Sequence, residues 1–276
     1  MSRWKKYLGW GLLPLGLLLA AQGLWSWRRQ AARQRAEASH DPLTLPSRSR
    51  QLMALADTLT RPERQVLFRR YDLARLWQMN PQDPDPVQNG FVGPHHQRLE
   101  VVFQRVRQLP RQPGSFRVRG LLRYQHRITP LRGRIQLEQV RQYGARDEVN
   151  PDLQVYTAVG KFAFWSARTG RKVLQGTAAI DFDTSDKQEY SLYSDNVSME
   201  HATRLFAFEG YYYQDKKRQR VLWAADLMEL AEEVVKDFNI GGRALTINPR
   251  YARYGWNEYF QHDEWWTAAP VATARP

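Results

Sequence analysis

From about residue 97 onward, apolar and polar residues alternate in short runs, and this pattern covers most of the remaining chain. Leu99, Val101 and Phe103 open it. Phe116, Val118, Gly120 and Leu122 then share one face of a run whose other face holds Arg117, Arg119, Leu121 and Arg123. Ile135 and Leu137 alternate with Arg134, Gln136 and Glu138. Runs rich in β-branched and aromatic residues follow at 155–166, 172–182, 189–193, 204–213 and 219–224. A period of two is the mark of a strand with one buried face. Turn signals separate the runs: Pro113-Gly114, Thr129-Pro130, Asn150-Pro151, Thr169-Gly170, Ser185-Asp186 and Asp215-Lys216. About eight short strands at hairpin spacing, with no long helix between them, predict a mainly β fold, an antiparallel up-and-down barrel. A barrel of that size is just wide enough for packed side chains or one small ligand. One late helix, near 225–238, carries Leu227, Leu230, Ala231 and Val234 on one face and is expected to pack across the barrel.

The N-terminus has a different pattern. Residues 8–27 form an apolar run in which only Gln22 and Ser26 are strongly polar. About 20 helical residues span the hydrocarbon core of a bilayer. Trp4 and Trp10 near one end, Trp25 and Trp27 at the other, match the aromatic belts of membrane interfaces, and Arg28 and Arg29 close the run with charge. The segment also resembles an export signal, with a small-x-small site at Ala21-Gln22-Gly23. Cleavage there would leave Leu24-Trp25-Ser26-Trp27 as the new terminus. The apolar run continues past that site into the second Trp pair, which favours a retained single-pass anchor at the cell membrane. Basic residues flank both sides almost equally; the likeness to an export signal places the large domain on the extracytoplasmic side.

Between anchor and barrel, residues 30–80 are expected to form a helical juxtamembrane stem. Thr60-Arg61-Pro62-Glu63 has the spacing of a capping box, and Val66, Leu67, Leu73, Ala74, Leu76 and Trp77 supply an apolar stripe ending near Asn80-Pro81. Pro81-Gln82-Asp83-Pro84-Asp85-Pro86 has little potential for helix or strand, so 81–96 reads as a Pro-rich linker. The expected organisation is thus an anchor over 1–29, a stem over 30–80, a linker over 81–96, a barrel over 97–260 and a flexible tail over 261–276.

Charge changes this picture. The chain carries net +13, and the excess lies early: 14 Lys/Arg against 5 Asp/Glu in residues 1–80, and 12 against 6 in residues 81–150. Three readings stay open: a solvated arginine-rich surface, attraction to anionic lipid headgroups, and nucleic acid. No nucleic-acid motif accompanies the charge. The absence of cysteine excludes disulfides, thiol catalysis and Cys-based metal sites, without deciding the compartment.

Candidate chemistry is sparse. His95-His96 is an adjacent pair, whereas a metal favours i, i+4 in a helix or alternate strand positions. Asp181-Phe182-Asp183-Thr184-Ser185-Asp186 lacks the ligand repetition and glycine of a calcium loop. His262-Asp263-Glu264 falls in the expected tail. There is no Gly-x-Ser-x-Gly elbow, no Walker loop and no dinucleotide-binding glycine motif, so the sequence supports neither an enzyme nor a metal or cofactor site.

Phe116-Arg117-Val118-Arg119-Gly120, then Arg132-Gly133-Arg134-Ile135, then Asn248-Pro249-Arg250-Tyr251 with Gly255-Trp256 and Tyr259, resemble bacterial lipocalin-like barrels. The resemblance covers residues 97–260 and implies the fold; it carries no activity. Aromatic residues provide the candidate ligand-binding set: Phe162, Phe164 and Trp165, Tyr211 and Tyr213, and Trp256. They either fill the barrel or line a pocket. Two functions follow. One is a membrane-anchored binding module for a small apolar molecule or lipid. The other is an interaction protein that docks on anionic membrane lipid or on a membrane-protein partner. A filled barrel favours the second, an open aromatic mouth the first.

Overall fold

Backbone pairing turns the alternation into one continuous antiparallel sheet. The computed structural model describes residues 57–78, 86–143, 153–185, 187–193, 205–214, 217–242, 244–261 and 263–267. The apolar run at 8–27, the stem before residue 57, the spacer at 81–85 and His262 lie outside them. In chain order come β1 (Asp57–Thr58), α1 (Arg61–Arg70), a 3-10 helix (Leu73–Gln78), β2 (Gln88–Val92), β3 (Gln97–Leu109), β4 (Gln112–Tyr124), β5 (Arg127–Gln142) and β6 (Leu153–Ser166). Then follow β7 (Lys172–Ser185), β8 (Tyr190–Leu192), β9 (Phe206–Gln214), β10 (Lys217–Ala224), α2 (Leu227–Val234) and 3-10 helices at Pro249–Tyr254 and Trp256–Glu258. Among the described residues no helix is long and apolar enough to cross a membrane.

Eight strands form a ring. From β2 to β7, then through β9 to β10, each pairs with its neighbours in order, and β10 pairs back with β2. β1 lies beside β5, and β8 beside β7. The number eight matches the sequence reading, but the members differ. The run at 189–193 gives only β8, outside the ring, and β2 takes the remaining place. β2 escapes the alternation rule because both of its faces are buried: Val92 faces the main core, and Phe91 faces a second one.

The main core fills the ring with aromatic rings. Phe208 stacks on Trp223 at 4.5 Å, Phe162 meets both edge-on at 5.2 Å, and Trp77 reaches in from the 3-10 helix to within 5.3 Å of Phe208. Trp223 Nε1 donates to Gln88 Oε1 at 3.1 Å, so the buried indole keeps a polar partner. Strand curvature around these rings needs residues without Cβ. At the paired Gly176 and Gly210, a Cβ would meet the carbonyl oxygens of Glu209 and Gln175 at 1.9 and 2.1 Å.

Residues preceding the spacer share this core. Leu67, Phe68, Tyr71, Leu73, Ala74, Leu76 and Trp77 are all in the cluster that holds the strand residues. The expected single helix is instead two pieces, because Tyr71 leaves the helix in an extended conformation. Val66 is consequently 62% exposed and does not belong to the buried stripe. α1 begins as the capping pattern predicts: Thr60 N donates to Glu63 Oε2 at 2.7 Å and Thr60 Oγ1 donates to it at 2.6 Å. These bonds hold the Glu63 carboxyl below its ordinary pKa.

A second core lies on the outer side of β2, β9 and β10. There Phe91, Ala207, Leu222 and Ala224 meet Leu227, Ala231, Val235 and Phe238, with Tyr251 and Trp256 from the C-terminal segment. The late helix therefore covers an outer face. A third cluster joins Trp265 to Val87, Val102 and Leu121. Residues 263–267, expected as part of a flexible tail, are held against the sheet.

Candidate functional site

The six aromatic candidates do not converge on one pocket. Phe162 and Phe164 point into the ring and are fully packed there. Trp256 is buried beneath the C-terminal segment, with its ring 5.1 Å from Phe91 and 4.7 Å from Phe238, and Nε1 donates to the His96 carbonyl at 2.6 Å. Trp165, Tyr211 and Tyr213 lie on the outside, half-buried. A cleft of about 500 Å³ lies elsewhere, between α1 and the ends of β5 to β7, lined by Leu59, Leu67, Tyr71, Gln142, Tyr156 and Thr184 among others.

The other candidates have structural partners. Thr157 Oγ1 donates to Asp181 Oδ1 at 2.5 Å, and Ser191 Oγ donates to Asp183 Oδ1 at 2.9 Å. The His95 ring stacks on Tyr254 at 5.5 Å, and His96 stands edge-on to Phe91. Burial, with Arg250 and His95 nearby, lowers the His96 pKa and so favours its neutral form. No group of three potential metal ligands occurs among the described residues.

Register assembles a different feature. Arg105 on β3 lies opposite Arg119 on β4, which lies opposite Arg132 on β5. One repeat along, Arg107 lies opposite Arg117, and Arg117 opposite Arg134. Two parallel rows of three arginines thus cross three neighbouring strands on the outer face. Four of the six are well exposed on β3 and β4; on β5 Arg132 is exposed and Arg134 half-buried, its Nε without a partner. Among the described residues no carboxylate ion-pairs with any of the six.

A bulge creates the first column of this array. Phe103 faces the core opposite Gly120, so a strict period of two would send Arg105 and Arg107 inward. Gln104 is the extra residue at the register shift, and it turns both arginines outward while Val106 returns to the core.

Beyond Arg132 the row continues with aromatic and basic residues. Trp165 on β6 lies opposite Arg132, and Lys172 on β7 opposite Trp165. The Lys172 ammonium sits 5.6 Å from the Tyr213 ring, and Arg218 and Arg220 approach the Tyr211 ring at 4.7 and 5.0 Å. The three outer aromatics are thereby interleaved with cations. Arg220 is also paired with Glu209 at 2.7 Å, which distinguishes this side from the arginine rows.

Two further arginines on the same strands are neutralised. Arg98 meets Glu100 at 3.0 Å, Arg123 forks onto the same carboxylate, and Asp263 pairs with Arg123 from the C-terminal segment. Tyr259 lies over Arg98 and Trp265 over Arg123. Among the described residues, carboxylates thus accompany the buried arginines and are missing from the exposed rows.

Compared with protein-family models, curated proteins and solved structures, the chain matches none. The site rests on its own geometry. The sequence does carry its signal, an Arg-x-Arg pattern at 105/107, 117/119 and 132/134. What sequence reasoning missed is that hairpin register stacks the three copies side by side.

Proposed function

We propose that this protein is a membrane-anchored, non-catalytic interaction module that docks its arginine face on anionic lipid headgroups. The observation that carries the reading is the pair of cross-strand arginine rows, which have no carboxylate partner among the described residues. Residues 97–142 contain 11 arginines, no lysine and 2 glutamates, and the guanidinium fork matches phosphate oxygens two at a time. Each basic residue close to an anionic leaflet adds about 1 kcal/mol of attraction, so six act strongly together. Trp165, which extends the row beside Arg132 on the next strand, suits the headgroup zone, where one side of a ring is apolar and the other wet. The apolar run at 8–27 would hold the domain at that surface, on the extracytoplasmic side. In this reading the ring is a lipocalin-like barrel used as a rigid scaffold, its interior taken by its own rings. A membrane protein with an acidic face is the competing partner.

Native mass spectrometry of the detergent-extracted full chain tests this. The wild type should retain phosphatidylglycerol that Arg117→Gln/Arg119→Gln releases, with phosphatidylethanolamine retention equal in both. Equal phosphatidylglycerol retention would overturn the proposal. A second reading, a small apolar ligand, rests on the cleft beside α1 and predicts a co-purifying molecule whose retention falls in Tyr71→Ala.

A further inference from the structure

We infer that the arginine rows form a two-phosphate site, selecting lipid headgroups that carry two phosphate groups over those with a single phosphodiester; this rests on the lipid-docking reading above. The rows divide into two quadrants. Arg105, Arg107, Arg117 and Arg119 bound the first, and Arg117, Arg119, Arg132 and Arg134 bound the second. Neighbouring strands are about 4.8 Å apart and alternate residues of one strand roughly 6.7 Å apart, so each quadrant is of phosphate size. The quadrants share the β4 column, which puts their centres about one strand spacing from each other.

Charge decides the class of occupant. A single phosphodiester brings one negative charge to a face with six arginines, and leaves the second quadrant open to like-charge repulsion. Two phosphates joined by a short bridge occupy both quadrants at once. The second then binds from the high effective concentration that the first provides. Arg117 and Arg119 act on both phosphates, whereas each outer column acts on one. Arg134 is placed to contribute: Gln112 Oε1 accepts from its Nη2, while its buried Nε has no partner among the described residues. Trp165, opposite Arg132, stands at the edge of the second quadrant, where acyl chains or glycerol would continue from the phosphate.

The test uses the full chain in nanodiscs of phosphatidylcholine, titrated at physiological salt with three soluble probes. These are dihexanoyl phosphatidylglycerol with one phosphate, a short-chain diphosphatidylglycerol with two phosphates bridged by glycerol, and inorganic pyrophosphate. The expected result is more than tenfold tighter binding of the two-phosphate lipid than of the one-phosphate lipid, with pyrophosphate weaker than the two-phosphate lipid. Arg117→Gln/Arg119→Gln should abolish the preference. Arg117→Lys/Arg119→Lys, which keeps charge but removes the fork and is the gentler change for folding, should reduce it several-fold. Equal affinity per phosphate for the two lipids overturns the two-phosphate site while leaving lipid docking intact. Binding of neither lipid overturns both. Pyrophosphate as tight as the two-phosphate lipid overturns the assignment to a lipid headgroup.

Discussion

Arg119 on β4 stands directly opposite Arg132 on β5, and on its other side opposite Arg105 on β3. Like charges directly across a sheet are destabilising, by about 0.2–1 kcal/mol for each pair. Arg119 takes part in two such pairs. Arg119→Thr should therefore stabilise the free protein by about 0.5–1 kcal/mol, since threonine also suits a strand. Thermal melting at low salt should show the gain, and added salt should shrink it by screening the wild type. A loss of stability in Arg119→Thr at low salt would mean that the arginine stem packs usefully and that its charge is tolerated.

Trp77 ties the helices before the spacer to the ring. Its indole is fully buried among Phe116, Phe206 and Phe208, although it lies outside every strand. Trp77→Ala should cost about 3–5 kcal/mol, the range for deleting a large buried aromatic. Chemical denaturation of the full chain measures this. A cost near zero would show that the 3-10 helix merely rests on the ring.

These two residues mark where the sequence was legible. Strands β3 to β7 were readable because alternation survives along most of each, and β9 and β10 because they are rich in aromatic and β-branched residues, although the second core covers part of their outer faces. β2 was not, since Gln-Asn-Gly-Phe-Val contains few strand-favouring residues and the C-terminal segment buries its second face. The packing role of Trp77 was also hidden, because its position on a helical stripe does not reveal what the stripe meets. The arginine rows required register, and register depends on bulges such as the one at Gln104 that no local pattern announces. Phe162, Phe164 and Trp165 form one candidate set in the sequence that could fill or line the barrel, but strand parity sends Trp165 to the outer face while Phe162 and Phe164 pack in the core.

Alkaline pH should weaken the fold through Tyr124. Burial, with Tyr212 beside it, pushes the Tyr124 pKa from 10.0 up to about 12. A tyrosine at its ordinary value in the unfolded chain loses its proton near pH 10, while the folded protein still keeps it. The unfolded state then binds fewer protons, so stability falls as pH rises from about 10 to about 12. Tyr124→Phe should lessen this decline, and ultraviolet titration should show one tyrosinate signal fewer in the high-pH range. An unchanged alkaline decline in Tyr124→Phe would assign it to other groups.

Trp256 is the keystone of the outer covering rather than of the ring's interior. Gly255, at φ 91°, ends the 3-10 helix Pro249–Tyr254 in the left-handed region and sets the indole between Phe91 and Phe238. From there Trp256 Nε1 reaches the His96 carbonyl, joining the C-terminal segment to the turn before β3. Trp256→Ala should cost about 3–5 kcal/mol, as for other large buried aromatics. Because the loss falls on the covering segment, proteolysis under native conditions should cut near residues 240–260 before it cuts the strands. Trp256→Phe should recover part of the packing but not the hydrogen bond, leaving a smaller defect of the same kind. Uniform cleavage across ring and covering in Trp256→Ala would show that the two unfold together and that the indole supports the whole barrel.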